Sequence, residues 1–340
     1  MEQGAKPVGI GVIGLNWGLG RCAAINEIPE ARLVAVASRT EQTARAAQEK
    51  LGVPGYSDYK ALLRDPQVEI VAIYTPSALH RDIAIDAARA GKHVMITKPI
   101  EVTLERCDAV IDACREAGVK LVTEYMSRYA VGHYRGYRAV ADGLLGRPVT
   151  GEFTYKCYRP QWYYTGTRGT WAVDGGGALL LQAIHTIDLM LWYYGPVESV
   201  TAICETQTHQ METEDTGVAL LRFVNGALAT VVGTTTFHND KPAGQYGGGS
   251  MTRMEIGGER GSAILLDGNL TMWKTEEDRP APDMPLPAAN AFQDFARWVR
   301  DDGYRSPMLV TGSAGRDAVA LILAMYESSR TGKTIRLTDR

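Results

Sequence analysis

The sequence predicts an α/β chain in two parts: a doubly wound parallel sheet first, then an α+β domain with a large, mostly antiparallel open sheet. Three observations predict it. Short apolar runs alternate with helical patterns over the first 120 or so residues, and a glycine loop joins the first such run to the first helix. From about Thr150 helices become rare and β-rich runs follow one another.

The first part opens with Val8–Ile13 as a strand, a glycine turn, and a helix through about Ile28. Leu33–Ala37 reads as a second strand, and Glu41–Leu51 as a polar helix with Ala44, Ala47 and Leu51 on one face. Val68–Tyr74, Val94–Ile96 and Lys120–Thr123 are further strands, with helical periodicity over Leu79–Ala90 and Leu104–Ala117. The β-rich runs are Gly151–Tyr158, Val197–Thr206, Gly217–Phe223, Ala227–Thr236, Thr252–Ile256, Ser262–Leu266 and Leu270–Lys274. Asn225-Gly226 signals a hairpin between two of them. Helices are expected at Ala178–Tyr194, Ala291–Asp301 and Arg316–Arg330. Domains are expected over 1–124 and 125–340, with the helix at 316–330 able to pack back on the first. His238–Ser250, rich in glycine, and Asp278–Ala289, rich in proline, read as surface loops or lids.

Composition excludes several classes. A net charge of −3 without a polybasic run gives no footing for nucleic acid. No apolar run reaches membrane-spanning length, and the start, Met1 to Pro7, lacks the apolar stretch of a signal peptide. The cysteines at 22, 107, 114, 157 and 204 are dispersed and odd in number, which suits a reducing compartment rather than a disulfide framework. A cytoplasmic location is therefore expected.

Gly14-Leu15-Asn16-Trp17-Gly18-Leu19-Gly20 follows a strand and opens a helix, the context in which glycines let a backbone approach a dinucleotide pyrophosphate. The pattern is not GxGxxG, because Asn16 and Leu19 occupy the second and third glycine positions. The GxxxGxG that is present has the spacing of short-chain dehydrogenases. That family needs a Tyr-x-x-x-Lys on a later helix, and Tyr56…Lys60, the one obvious match, lies too early beside a turn. A Rossmann dinucleotide-binding domain remains, with Gly14, Asn16, Trp17, Gly18 and Leu19 in the cradle. The second strand ends at Ser38-Arg39, where a carboxylate would hold the 2′-hydroxyl of NAD. Ser38 cannot do so, whereas Arg39 suits the 2′-phosphate of NADP. NADP is expected, with NAD left open and a solvated arginine as the plain alternative.

Thr97-Lys98-Pro99 follows Val94-Met95-Ile96, so Lys98 is expected at the carboxyl end of a strand, where open α/β sheets place their ligands. His185, downstream of the turn Gly175–Gly177, makes with it a plausible acid/base pair for a redox step on an alcohol. By residues alone His185 reads equally as a satisfied core histidine.

These pieces together resemble the Gfo/Idh/MocA family (glucose-fructose oxidoreductase, inositol dehydrogenase, rhizopine catabolism) over nearly the whole chain. The matching segments are Tyr74-Thr75-Pro76-Ser77-Ala78-Leu79-His80, Ala90-Gly91-Lys92-His93-Val94, Thr97-Lys98-Pro99, Arg128-Tyr129 with Gly146-Arg147-Pro148, Gly175–Leu179 leading to His185-x-x-Asp188, Glu214-Asp215 and Gly257–Ser262. The resemblance implies hydride transfer between NAD(P) and a secondary alcohol or ketone of a sugar, sugar derivative or cyclitol. Lys98 would polarise the oxygen and His185 would exchange its proton. It places Thr75, Pro76, His80, Thr97 and Lys98 by the cofactor, and implies assembly as a homodimer or homotetramer through the C-terminal sheet.

Two positions depart from the family. Thr97 stands where a glutamate is usual, and Leu181, four residues before His185, where many members carry aspartate. Gln182 offers hydrogen bonds but no proton site, and Asp188 at i+3 from His185 is a weak substitute acid. Tyr163, Tyr164, Arg168 and Trp171 suit a polyhydroxylated ring, or an exposed oligomer contact, and Tyr125 and Arg128 are expected to face the cleft with Lys98, Leu181, Gln182 and His185. No metal is expected, since the histidines lack ligand spacing and hydride transfer needs none. A non-catalytic sensor of the same fold and a redox-neutral enzyme with transient oxidation are the competing readings.

Overall fold

The structure, a computed structural model, describes residues 6–242, 244 and 247–337. Most of the polar start Met1–Pro7, and Ala243, Gln245 and Tyr246 of the glycine-rich stretch, lie outside the described residues. The chain divides into two units: Met1–Tyr125 with Pro287–Arg316, and Met126–Leu286 with Asp317–Arg340.

The first unit is built on six parallel strands, β1 (Val8–Ile13), β2 (Ala31–Ala37), β3 (Gly55–Tyr56), β4 (Ile70–Ile73), β5 (His93–Thr97) and β6 (Leu121–Glu124), in the order β3-β2-β1-β4-β5-β6. β1, β4 and the middle of β5 are wholly buried, as near-continuous apolar runs require when helices cover both faces. The helices Leu15–Asn26, Glu41–Leu51, His80–Arg89 and Leu104–Glu116 match the expected periodicities. Thr40 caps the second of them, its hydroxyl accepting from the Thr43 N–H at 3.2 Å. Gly9 admits no side chain: a Cβ there would lie 1.9 Å from the Gln67 carbonyl oxygen.

Two features escape periodicity. β3 has two residues, and the helix Tyr59–Arg64 only six. The helix Ala291–Arg300 belongs to this same unit: Arg297 holds Glu30 at 2.7 Å and Arg300 holds Glu69 at 2.6 Å.

The second unit carries an eight-stranded sheet. Its strands are β7 (Pro148–Cys157), β8 (Val197–Glu205), β9 (Thr216–Phe223), β10 (Leu228–Thr234), β11 (Ser250–Gly258), β12 (Gly261–Leu266), β13 (Asn269–Thr275) and β14 (Ile335–Arg336). Their order is β13-β12-β11-β7-β10-β9-β8-β14, and only β10 against β7 is parallel. The Asn225-Gly226 turn joins β9 to β10, with Gly226 at φ 88°. Alternation is strict on β9: Ala219, Leu221 and Phe223 are buried, while Val218, Leu220 and Arg222 face out.

The inward face receives the segment Ala178–Tyr194. Periodicity predicts one α-helix here, but Ala178–Ala183 is a π-helix, and the α-helix proper is Ile184–Tyr194. The wider turn coincides with two demands. Gly217 and Gly233 let Leu179 press onto the sheet, where a Cβ at either would lie within 2.8 Å of its side chain. The helix start is also pinned from outside, as described below. The helix Val131–Ala141 also lacks a clear sequence signal. It contains Gly132 and Gly136, and a Cβ at Gly132 would meet the Gly268 carbonyl oxygen at 2.1 Å.

Candidate active site

In the first unit the expected cofactor residues that end strands lie along one edge of the sheet. Gly14 follows β1, Ser38 and Arg39 follow β2, Thr75 and Pro76 follow β4, and Lys98 follows β5, whose last residue is Thr97. β1 and β4 are adjacent and lead to opposite sides of the sheet, so this edge holds the switch point at which doubly wound sheets take ligands.

Gly14 takes a backbone that favours glycine. Its φ is 93°, and a Cβ would meet the Tyr74 carbonyl oxygen at 2.6 Å. The helix Leu15–Asn26 has no side-chain cap and no acidic residue in its first turn, so no carboxylate of its own takes the leading N–H groups. Asn16 and Trp17 are exposed beside it, Leu19 is half-buried, and Gly18 is packed under Tyr74. The hydroxyl of Thr75 is buried without a hydrogen-bond partner. A close-approach glycine, an open helix start and an orphan hydroxyl fit a dinucleotide pyrophosphate. Arg39 is exposed and Ser38 half-buried at the end of β2.

His80 is wholly buried. Its Nε2 lies 2.9 Å from the Thr75 carbonyl oxygen and its Nδ1 3.0 Å from that of Pro99. The imidazole thus joins the loop after β4 to the loop after β5, and any service to a cofactor passes through those loops. Behind it Glu101 is fully buried, bound by Arg106 at 2.8 Å and by the N–H groups of Arg81 and Val102. Lys98 is half-buried at the strand end, and Tyr125, which closes the unit after β6, is 1% exposed.

In the second unit the π-helix and the helix after it present Leu181, Gln182 and His185 as half-buried residues within an otherwise buried stretch. Gln182 is the hub. Its Oε1 accepts from Tyr155 Oη and Arg159 Nη2, each at 3.3 Å, and its Nε2 donates to Tyr163 Oη at 3.1 Å. The guanidinium carbons of Arg159 and Arg168 lie 5.4 and 4.4 Å from the Tyr163 ring centroid. Tyr163, Arg168 and Gln182 are therefore brought together. Tyr155 and Arg159 join them without having been singled out in the sequence. Arg159 had a signal: it stands just past the end of a strand, as Lys98 does.

Tyr164, Trp171 and Arg128 make other contacts. Tyr164 is buried with its hydroxyl on Thr235 Oγ1 at 2.6 Å. Trp171 is 46% exposed, edge-on to Tyr326 at 5.2 Å. Arg128 is 6% exposed and grips Asp188, which is 1% exposed.

The start of the π-helix is held by Glu214. Its carboxylate accepts from the N–H groups of Gly177 at 2.9 Å and Leu179 at 2.8 Å, and from Tyr326 Oη at 2.9 Å. Burial pushes this carboxyl up to about 7, against the opposing pull of those donors. Gly177 cannot be replaced, since a Cβ would meet the Glu214 carbonyl oxygen at 1.8 Å. Nearby His209 donates from Nε2 to the Arg159 carbonyl oxygen at 2.7 Å and sets Nδ1 3.0 Å from Asp215. Among the described residues no cluster of His, Cys, Asp and Glu could hold a metal ion, and no helix is long and apolar enough to cross a membrane.

Residues 8–125 match the oxidoreductase family domain with an NAD-binding Rossmann fold, and residues 136–264 match the GFO/IDH/MocA C-terminal domain. Myo-inositol 2-dehydrogenase of Thermotoga maritima is 30% identical, covering 97% of this chain and 98% of its own. 1,5-Anhydro-D-fructose reductase of Ensifer adhaerens is 27% identical, with 97% of each chain covered. Among solved structures, the WlbA dehydrogenase of Bordetella pertussis, in complex with NADH and UDP-GlcNAcA, superposes with a TM-score of 0.86 at 29% identity. That match covers 98% of this chain and 99% of the other.

Proposed function

The chain belongs to the Gfo/Idh/MocA family of sugar and cyclitol oxidoreductases, and we propose that Lys98 and His185 carry its reaction on a secondary alcohol of a polyhydroxylated substrate. It is an NAD(P)-dependent oxidoreductase acting on CH–OH groups. The observation that carries the finer reading is the strand-end row of the first unit, which sets Lys98 on the same sheet edge as the Gly14 cradle and Thr75.

When bound, the nicotinamide supplies the hydride donor or acceptor. Gly14, Thr75 and the start of the helix Leu15–Asn26 would hold its pyrophosphate, with Asn16, Trp17, Gly18 and Leu19 around it. Arg39 would meet a 2′-phosphate, which favours NADP over NAD. Lys98 donates a hydrogen bond to the substrate oxygen, and its positive charge stabilises that oxygen as it gains or loses carbonyl character. His185 takes the hydroxyl proton in oxidation and returns it in reduction. Gln182 and Arg168 orient the ring's polar groups, and Leu181 covers an apolar face. Asp188, held by Arg128, is a positioning residue and no proton site.

The outer face of the second sheet exposes Ile203, Val218, Leu220 and Leu228. An apolar sheet face of this kind is an interface in waiting, and a homodimer or homotetramer through it is proposed. Light scattering at micromolar concentration checks this, and a monomer would refute it.

The functional test is absorbance at the reduced-nicotinamide band, with NAD and NADP against sugars, sugar acids and cyclitols. Turnover abolished in Lys98→Met and His185→Ala supports the assignment. Cofactor binding with silence across the panel would instead indicate a sensor or a redox-neutral enzyme.

A further inference from the structure

We propose that His80 is a proton-operated clamp between the loop of Thr75 and the loop of Lys98, closed when both ring nitrogens carry a proton, and that the dinucleotide selects the closed form. The second half rests on the reading of this sheet edge as the nicotinamide cofactor site.

Two acceptors face one imidazole. Nε2 of His80 lies 2.9 Å from the Thr75 carbonyl oxygen and Nδ1 3.0 Å from that of Pro99. A carbonyl oxygen only accepts, and a neutral imidazole has one N–H and one lone pair. In the neutral state the ring bonds one loop and turns its lone pair on the oxygen of the other. When protonated, it donates to both. Solvent does not relieve the conflict, because His80 is wholly buried.

His93 and His133 do not meet this conflict. His93 accepts from the Lys120 N–H at 3.0 Å. His133 sets Nδ1 2.7 Å from the Ser127 carbonyl oxygen and leaves Nε2 without a hydrogen-bond partner. Each suits a single neutral tautomer.

The loops that His80 joins follow the adjacent strands β4 and β5. One carries the orphan hydroxyl of Thr75 and the other carries Lys98, so the ring sets the spacing between a cofactor contact and the proposed oxygen-binding lysine. A second tie lies farther from the strands in sequence: Arg106 Nη2 donates to the Ala78 carbonyl at 2.6 Å and to Glu101 at 2.8 Å. Its donor is an arginine, which keeps its protons, so the tie next to the strand ends is the one that titrates.

Burial pushes the imidazole below its ordinary 6.5, while the two carbonyls and the Glu101 carboxylate pull the other way. Arg106 holds that carboxylate at 2.8 Å. Cys107 on the same helix is buried, and burial pushes its thiol up, so it stays neutral. Arg81 and Asp82 pair with each other at 2.8 Å, and Lys98 is the remaining charge of the two loops. The clamp therefore closes on the acid side of 6.5. A ligand that selects the closed form binds more tightly as pH falls, and takes up a proton on binding.

The test reads the two ring nitrogens directly. In protein labelled with nitrogen-15 histidine, the His80 signals are assigned by their absence from His80→Asn and His80→Gln. Two N–H groups are expected at pH 5 and one at pH 8. One at both, or two at both, would overturn the clamp. Calorimetric titration of NAD and NADP at pH 6, in two buffers of different ionisation enthalpy, reads the coupling. Asn places its amide nitrogen near Nδ1 and Gln near Nε2, so each variant keeps one of the two bonds. The wild type is expected to take up more protons per cofactor than either variant, and to bind about 10-fold more tightly. Subtracting the variants removes the titration of the NADP 2′-phosphate itself near pH ~6. Should neither variant fold, NAD, which lacks that phosphate, gives the uptake alone. Equal uptake in wild type and variants would overturn the selection of the closed form. Absence of binding of either cofactor to the wild type would refute the cofactor reading, while the nitrogen titration, made without cofactor, would still decide the clamp.

Discussion

Arg128 and Asp188 close on each other as a two-bonded pair, Nε to Oδ2 at 2.8 Å and Nη2 to Oδ1 at 2.7 Å, with the guanidinium 4.8 Å from the Trp192 ring centroid. Burial pushes the Asp188 carboxyl up, and the Arg128 bonds oppose that shift. The pair locks the helix Ile184–Tyr194 to the turn Met126–Tyr129 in the second unit. Asp188→Ala would leave a buried guanidinium without its carboxylate, at a cost of about 3–5 kcal/mol. Chemical denaturation measures this; a loss under 1 kcal/mol would show that water reaches Arg128.

Lys98→Met keeps most of the apolar stem and removes the charge, so the strand end should stay intact while the oxygen loses its electrostatic partner. Turnover is expected to fall about 10²–10⁴-fold, and the same holds for His185→Asn, which keeps a polar group but cannot exchange the proton. Cofactor affinity measured by fluorescence quenching should change far less than turnover. Equal losses in both would place Lys98 with the cofactor alone.

Arg39 follows the buried strand β2 and precedes Thr40, the cap of the next helix, and its exposed guanidinium is the group proposed to meet a 2′-phosphate. Glu41 pairs with Arg45 at 3.0 Å, which draws that carboxylate away from the turn. Arg39→Ala should lower the ratio of NADP to NAD kcat/KM about 10–100-fold through loss of charge-assisted bonds. A ratio that does not move would leave the 2′-phosphate without its expected partner.

The strand ends were legible because apolar runs of four to seven residues followed by Gly, Ser, Thr or Lys leave little choice of edge. Gly14, Ser38, Thr75 and Lys98 fell on one line for that reason. The β-rich runs of β8 to β10 were equally plain, and Asn225-Gly226 marked the hairpin between β9 and β10. What sequence could not show was side-chain direction. Tyr163 and Tyr164 are neighbours, yet one meets Gln182 and the other turns to Thr235. Arg128 was expected in the cleft, while its fork is on Asp188. The π-turn at Ala178–Ala183 was hidden because its cause is remote: Glu214 reaches back from the start of β9 to hold the N–H groups of Gly177 and Leu179.

That remote carboxyl yields a pH dependence with a definite sign. Burial raises Glu214 from an ordinary 4.5 to about 7, so between these values the folded chain holds a proton that the unfolded chain has released. Stability from this group is therefore full below about pH 4.5 and declines as pH rises through 7. The difference of about 2.5 pH units corresponds to about 3 kcal/mol. Glu214→Gln cannot ionise; it keeps one acceptor oxygen, for the Leu179 N–H and Tyr326 or for the Gly177 N–H, and turns an NH2 toward the other. Denaturant unfolding at pH 5 and pH 8 should show the wild type losing about 2.5 kcal/mol relative to this variant. Parallel pH profiles would mean that the three donors, Gly177, Leu179 and Tyr326, hold the carboxylate ionised in the fold. Because those N–H groups begin the segment carrying Gln182 and His185, the same ionisation should change how the helix start is held. KM is then expected to respond near pH 7 in the wild type and not in Glu214→Gln.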